Sequence, residues 1–443
     1  MSIASAIQNA QTKIAAAYTA IFNKGGTLPA TQDLSNMSTA INSIPTGTPP
    51  KYTLTIDNFI GNVNSSGVLQ QGANASGNLV FTGVEDIGTR ALSGRFFSRI
   101  DLNRNISFPD LTNLTYTRAI SYAFYSSAIK ELDLSKLETI NNNYVCEYMC
   151  SGCSSLTTMD LSGLKTVNGT SACQFMFQSC TSLTSIDLSS LTSINQNSGS
   201  YGCYNMFSTC NHITTADLSA LTYVGQSGCA YMFQSCLGLT SFDLSELATI
   251  GPSGCTYMFN NCGALTNISL PKVISLSEGS CCAYMFANCI SLVTANLSNL
   301  TNITTNSYNC QRMFQSCTSL TSVDLSSLET VSGAGSCQYM FQSCTSLTSM
   351  TFSNLKTINA NTAFDRIFQG CTSLASVTFT KLETISGTTP LASAFQSCSS
   401  LTDIYFPALK TTSTIVIATM MTSSGTGTVH TIHFPSNLQA TIQ

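Results

Sequence analysis

The residues best able to do chemistry recur at a fixed interval. Asp133, Asp160, Asp187, Asp217 and Asp243 each follow an apolar residue and precede a Leu, and Asp324 repeats the form further on. In the other copies the place is taken by Ser269, Asn296, Thr351, Thr378 and Tyr405. An apolar-polar-apolar alternation reads as a strand with its middle residue outward. Parallel strands stack about 4.8 Å apart, so the carboxylates would form a closely spaced row. Such a row repels itself unless it is screened, protonated or bridged by cations. Two readings stand side by side. Each Asp hydrogen-bonds its own strand end or the following Ser, or the row is a stripe that binds cations or sugars. A second column, Phe175, Tyr231, Tyr257, Tyr284 and Tyr339, comes just before a Met-Phe pair in each copy. It reads as a glycan-stacking or intersubunit surface, or as partly buried packing.

Cysteine is the third candidate chemistry. Of the twenty cysteines, sixteen form C-x6-C pairs, running from Cys146/Cys153 to Cys337/Cys344. In the next two copies Phe364 and Leu391 replace the first member, while Cys371 and Cys398 keep the second. An apolar substitute marks a core position, and a free Cys behaves as a small hydrophobe. The expectation is a set of buried thiol ladders rather than disulfides. Zinc needs four converging ligands, and each copy offers two Cys and no His, so no metal is expected. The three His are His212, His430 and His433; the last two, three apart on an apparent strand, face opposite ways. The sequence holds no G-x-S-x-G elbow, phosphate loop or dinucleotide fingerprint. No catalytic residue, cofactor or enzyme activity is expected.

The element that must position these columns is a repeat. The Leu or Phe closing each apolar-x-apolar triplet recurs from Phe81 and Phe108 through Leu134, Leu161 and Leu188 to Phe406 and Phe434, fourteen rungs mostly 26 to 28 residues apart. A period of this size means a solenoid, in which each rung buries its apolar edge only by stacking on its neighbours. Within one rung, Cys173, Met176, Phe177 and Cys180 stand at i, i+3, i+4 and i+7, the face of a short helix. Ile186-Asp187-Leu188 follows as a strand, and Leu191 and Ile194 turn the chain back through a second extended segment. Residues 195–202, rich in Gly, Ser and Asn, read as an exposed loop.

Composition sets the boundaries. Charged residues make up 9% of the 443, with a formal net charge of −4 and no basic patch, so nucleic acid is not expected as a partner. The apolar runs are too short to cross a bilayer, so no membrane insertion is expected. The N-terminal segment lacks the cationic start, apolar block and cleavage site of a secretory signal, which predicts synthesis and folding in a cytoplasm.

The runs MFQSCTSLTSIDLSSLTSI, MFQSCTSLTSVDLSSLETV and MFQSCTSLTSMTFSNLKTI resemble the leucine-rich repeats of BspA-like bacterial surface proteins. The resemblance implies an α/β repeat solenoid: a curved parallel β-sheet with short helices opposite, and roles in adhesion or surface recognition without enzyme activity. It departs from ordinary leucine-rich repeats, whose Asn/Cys position is filled here by apolar residues such as Leu191 and Leu328.

The N-terminus is organised differently. Ile3, Ile7, Ile14, Tyr18, Ile21 and Phe22 make a helical apolar stripe that ends at Gly25-Gly26. The predicted division is a helical attachment segment over 1–45, a linker over 46–50 and a cap over 51–78, followed by the solenoid over 79–438 and a tail over 439–443. A helix with one apolar face and no core of its own needs a partner, either the solenoid end or another chain. Residues 10–47 also resemble the N-termini of tail and fibre proteins of gut bacteriophages and prophages. That resemblance implies a virion structural protein, attached to other virion proteins by its N-terminal helix. It would recognise a host-surface glycan or protein and form a homo-oligomer, a trimer by fibre analogy. The alternatives are a BspA-like adhesin on a bacterial cell surface and an intracellular interaction scaffold.

Overall fold

The computed structural model describes residues 105–410 except 197–198 and 305–306, together with Ala17, Leu79, Val80, Met420 and residues 431–435. The chain coils into a parallel β-solenoid of about 11 turns. The outer rungs of the fourteen counted in the sequence lie partly outside the described residues, as do all six residues of the N-terminal stripe and the proposed boundaries at 45, 50 and 438.

Each turn has three sides. The first is a short strand such as Ser185–Asp187, with one inward residue between two exposed ones. The second is a two- or three-residue strand such as Ser193–Ile194. Stacked rungs extend each side into parallel ladders. Ser185, Ile186 and Asp187 pair in register with Thr215, Ala216 and Asp217, and Ser193 and Ile194 pair with Tyr223 and Val224. Along the axis the first side runs as sheets of four, three, three and four strands, and the second as two sheets of five. Leu188, Leu191 and Ile194 turn inward at the corners and are fully buried. The Leu191 amide donates to the Leu188 carbonyl across the corner at 2.9 Å.

The third side corrects the expectation of short helices. Cys173 to Cys180 is a run of consecutive tight turns stacked on the same run in the neighbouring rungs. Two sets of backbone bonds alternate along it. Met176, Gln178 and Cys180 donate to carbonyls three residues back, on Cys173, Phe175 and Phe177. Cys173, Phe175, Phe177 and Ser179 instead donate to the next rung, on Gly202, Tyr204, Met206 and Ser208, at 2.7 to 3.0 Å. The remaining carbonyls, on Gln174, Met176 and Gln178, accept from Tyr148, Cys150 and Gly152 of the preceding rung. Buried backbone groups must be paired, and this pattern pairs them without a helix. Every fourth residue takes a left-handed conformation, as at Ser171 (φ 51°), Phe175 (φ 55°) and Ser179 (φ 60°). A right-handed helix cannot continue through such residues. A four-residue repeat also places positions i, i+3, i+4 and i+7 on one side, and this is why the apolar spacing mimics a helix.

The core is built from columns of like residues. Phe177, Phe207, Phe233, Phe259 and Phe286 stack in parallel with ring centroids 5.5 Å apart, and the column continues through Phe314, Phe341, Phe368 and Phe395. A second column, Phe352, Phe379, Phe406 and Phe434, lines the C-terminal rungs.

All twenty cysteines are free and buried. The two members of each pair differ in a way the spacing alone did not indicate. The second thiol donates to a carbonyl of the preceding rung, as from Cys236 to Phe207 and from Cys262 to Phe233, both at 3.1 Å. The first member makes no such bond, so Phe364 and Leu391 can replace it while Cys371 and Cys398 persist. Burial pushes the Cys289 and Cys398 thiols up to about 12. Cys153 departs from this pattern, held below its ordinary value chiefly by hydrogen bonding with Cys150 and then by Ser127. The thiolate is the reactive form and all twenty thiols are buried away from solvent, Cys153 included, so an aromatic-disulfide reagent should find the native thiols unreactive and all twenty free after denaturation. Fast reaction of the native protein, or a mass deficit from disulfides in the denatured one, would contradict the ladder.

Candidate functional site

The strand side carries the carboxylate row. Asp160, Asp187, Asp217, Asp243 and Asp324 are exposed and Asp133 is partly buried. Strand pairing sets Asp133 beside Asp160, Asp187 beside Asp217, and Asp217 beside Asp243. Asp324 stands apart, beyond Ser269 and Asn296.

Each Asp has a local partner. Its Oδ1 accepts the amide of the Ser two residues on, from Ser162 at 2.9 Å, Ser189 at 3.0 Å, Ser219 at 2.9 Å, Ser245 at 2.8 Å and Ser326 at 2.9 Å. This bond closes the corner after the strand. Among the described residues, the Oδ2 atoms of Asp160, Asp187, Asp217, Asp243 and Asp324 accept no protein hydrogen bond. The two readings of the row are therefore compatible, since one oxygen caps the strand and the other faces solvent. The hydroxyl and amide of Ser189 hold the Asp187 carboxyl below its ordinary range. Burial pushes Asp133 the other way, but hydrogen bonds from Ser107 and Ser135 outweigh it and leave that carboxyl lowered too.

The row borders a shallow trough of about 590 Å³, lined by Asn105, Glu131, Thr158 and Ser185 on one margin and by Asp133, Asp160 and Asp187 on the other. A second trough of about 400 Å³ lies over Thr294, Asn296, Ser322 and Asp324. Both are open to solvent and polar at their margins, the shape of a surface for an extended ligand rather than an enclosed reaction site. Among the described residues, no three His, Cys, Asp or Glu side chains are grouped as metal ligands.

The aromatic column lies on the turn side and is longer than the sequence suggested. Its rings stack on one another: Tyr122 on Tyr148 at 4.8 Å, Tyr148 on Phe175 at 4.5 Å, Tyr231 on Tyr257 at 4.7 Å and Tyr257 on Tyr284 at 4.3 Å. Tyr204, one position off the column, bridges Phe175 and Tyr231. Arg312 and Arg366 continue the stack on either side of Tyr339, at 4.5 and 5.5 Å from its ring centre. The rings are half-buried and their flat faces cover one another, so what they offer outward is hydroxyl edges. The sequence held the signal for both arginines, because Arg312 precedes Met313 and Arg366 precedes Ile367 in the same register as Tyr339 before Met340.

The C-terminal end shows a pairing that sequence reasoning missed. His433 stacks on Tyr405 at 4.2 Å and meets Asp403 at 2.8 Å. Only the register Asp403↔Thr431 and Tyr405↔His433 brings them together, across a gap of some thirty residues.

A model described as a BspA-type leucine-rich-repeat region matches residues 82–203, 120–253, 190–312, 229–365 and 311–441. Among solved structures, the chain is similar to a leucine-rich-repeat protein from Bacteroides ovatus, with TM-score 0.37 and 19% identity over 79% of this chain and 87% of that one. It is also similar to a leucine-rich cell-surface protein from Faecalibacterium prausnitzii, with TM-score 0.30 and 16% identity over 81% and 86% of the two chains. No curated protein matches the chain.

Proposed function

We propose, for a chain that belongs to the BspA-type leucine-rich-repeat family, a non-enzymatic recognition role in which the strand side of the solenoid meets a cell-surface glycan or protein. The observation that carries this reading is the in-register row of exposed carboxylates, each with one oxygen left toward solvent, along an open trough. Identical weak contacts repeated along a rigid axis sum to useful avidity on a repetitive ligand. A binding assay on candidate host cells tests it. Retention that vanishes when surface polysaccharide and protein are stripped supports the role, and retention indifferent to both overturns it.

The more specific form of the proposal is a bacteriophage virion protein, a tail or head fibre or spike, with the N-terminal segment joined to other virion proteins. Support comes from the resemblance of residues 10–47 to phage tail and fibre N-termini. Homo-oligomerisation, as a trimer, belongs to this form by analogy with fibres. The family itself favours the second reading, an adhesin at a bacterial cell surface. Deletion of residues 1–45 separates the attachment role from a capping one. The expected result is a folded solenoid that no longer enters its assembly. Unfolding of the truncated chain would show that the segment caps the core instead.

A further inference from the structure

The turn side carries a second arrangement, opposite in charge to the aspartate row. Among the described residues the arginines are Arg118, Arg312 and Arg366, and all three sit on this side at left-handed positions, with φ of 63°, 53° and 52°. A long side chain is a costly choice in that conformation, where Gly, Asn and Asp are the usual residues. Arg118 is ion-paired with Glu147 at 3.1 Å, and Arg366 with the buried Asp365 at 3.1 Å. Arg312 has no ion-pair partner among the described residues. Its guanidinium lies between the rings of Tyr284 and Tyr339, and its Nε is buried without a hydrogen bond.

The hydroxyls beside it are committed as acceptors. Tyr284 accepts from Arg312 Nη1, and Tyr339 accepts from Arg366 Nη1 at 3.0 Å. A phenol that accepts from a guanidinium has its own proton left to give, as at Tyr339, whereas the Tyr284 hydroxyl also hydrogen-bonds Tyr257. The cluster of Arg312, Tyr284 and Tyr339 therefore presents donors and positive charge, with no anion of its own. The buried Nε is out of reach of solvent, so an incoming anion is met by the Nη groups, whose charge has no carboxylate beside it.

We propose that the Arg312–Tyr339–Arg366 stack is a binding site for an acidic glycan, its carboxylate or sulfate held by Arg312 and its ring hydroxyls by the tyrosine edges. The stacked faces leave no apolar pocket for a peptide side chain. Arg366 is neutralised by Asp365, so Arg312 carries the free charge of the stack and the acidic group is placed there. An extended peptide presents same-side residues about 7 Å apart and falls out of step with the rungs. This site lies on a different side from the carboxylate row and stands or falls independently of it.

The test is calorimetric titration of the full chain at low ionic strength with a galacturonate hexamer, a sulfated hexamer of similar length, the carboxyl-reduced hexamer and a polyglutamate peptide. The expected result is binding of at least one of the two acidic glycans, weakened at least about tenfold by Arg312→Gln. Arg312→Lys, which keeps the charge but loses the planar fork between the rings, should give an intermediate loss and also guards against misfolding of the first variant. Lys165→Gln, which removes an exposed cation outside both the carboxylate row and the tyrosine–arginine side, should leave the affinity unchanged. Binding of neither acidic glycan, equal binding of the carboxyl-reduced hexamer, or an affinity indifferent to both Arg312 variants overturns the site. Equal affinity for polyglutamate overturns the glycan assignment.

Discussion

Replacing Phe259 by Ala should lower the stability of the solenoid by about 3–5 kcal/mol, the range for truncating a fully buried aromatic residue. Phe259 is 0% exposed and has ring partners on three sides: Phe233 and Phe286 at 5.5 Å, and Phe242 at 4.1 Å. The cavity cannot easily close. The rung is held at its spacing by the bond from Phe259 to Met285 at 2.9 Å and by that from Phe233 to Met258 at 2.8 Å. Stability in such arrays is a sum over rungs and the interfaces between them, so one central lesion weakens two interfaces. Phe395→Ala, near the C-terminal end and with one stacked phenylalanine among the described residues, at 5.8 Å, should cost less. Cys262→Ala should cost less again, since it removes a small side chain and one weak S–H bond. Urea unfolding of the three variants checks the order. A loss below about 1 kcal/mol at Phe259 would mean that the column relaxes and that the hydrogen-bonded turn stack, not ring packing, sets the stability.

The sequence made some of this architecture plain and hid the rest for identifiable reasons. The strand at Ile186-Asp187-Leu188 was legible because inward and outward positions alternate with a period of two, and no other element shares that period. The turn stack was not. Cys173, Met176, Phe177 and Cys180 satisfy both a helix and a four-residue turn repeat, and periodicity cannot choose between them. The distinguishing signal lay in the outward residues. Ser171 and Ser179, Ser253 and Asn261, and Ser280 and Asn288 flank the column at four-residue intervals. The middle member of each set is aromatic, Phe175, Tyr257 or Tyr284, and an aromatic residue is a poor advertisement for a left-handed conformation. The pairing of His433 with Asp403 was hidden for a different reason. It depends on register between rungs, which no local pattern states.

Changing Asp160, Asp187, Asp217 and Asp243 together to Asn should leave the fold intact and reduce surface adsorption by about tenfold or more, if each carboxylate contributes a few tenths of a kcal/mol across the row. The solenoid contains its own control for the first half of that statement. Asn296 occupies the same position and its Oδ1 accepts the Ser298 amide at 3.0 Å, as the aspartates do with theirs. Asn can therefore keep the cap while the charge is removed. Like charges brought side by side at Asp187, Asp217 and Asp243 repel, and relief of that repulsion offsets the loss of the Ser189 bonds to a charged Asp187, so the neutral variant should stay close to the parent in stability at neutral pH. The pH dependence has a definite sign. The Ser189 bonds lower the Asp187 pKa, so its contribution is present above the ordinary carboxylate range and fades as pH falls through the lowered value. That acid-side loss should disappear in the variant. Adsorption measured with and without divalent cations then decides the role of the free Oδ2 atoms. Unchanged adsorption and unchanged cation dependence, on a folded protein, would reduce the row to strand caps and leave the loops and the tyrosine–arginine side as the surfaces that recognise a partner.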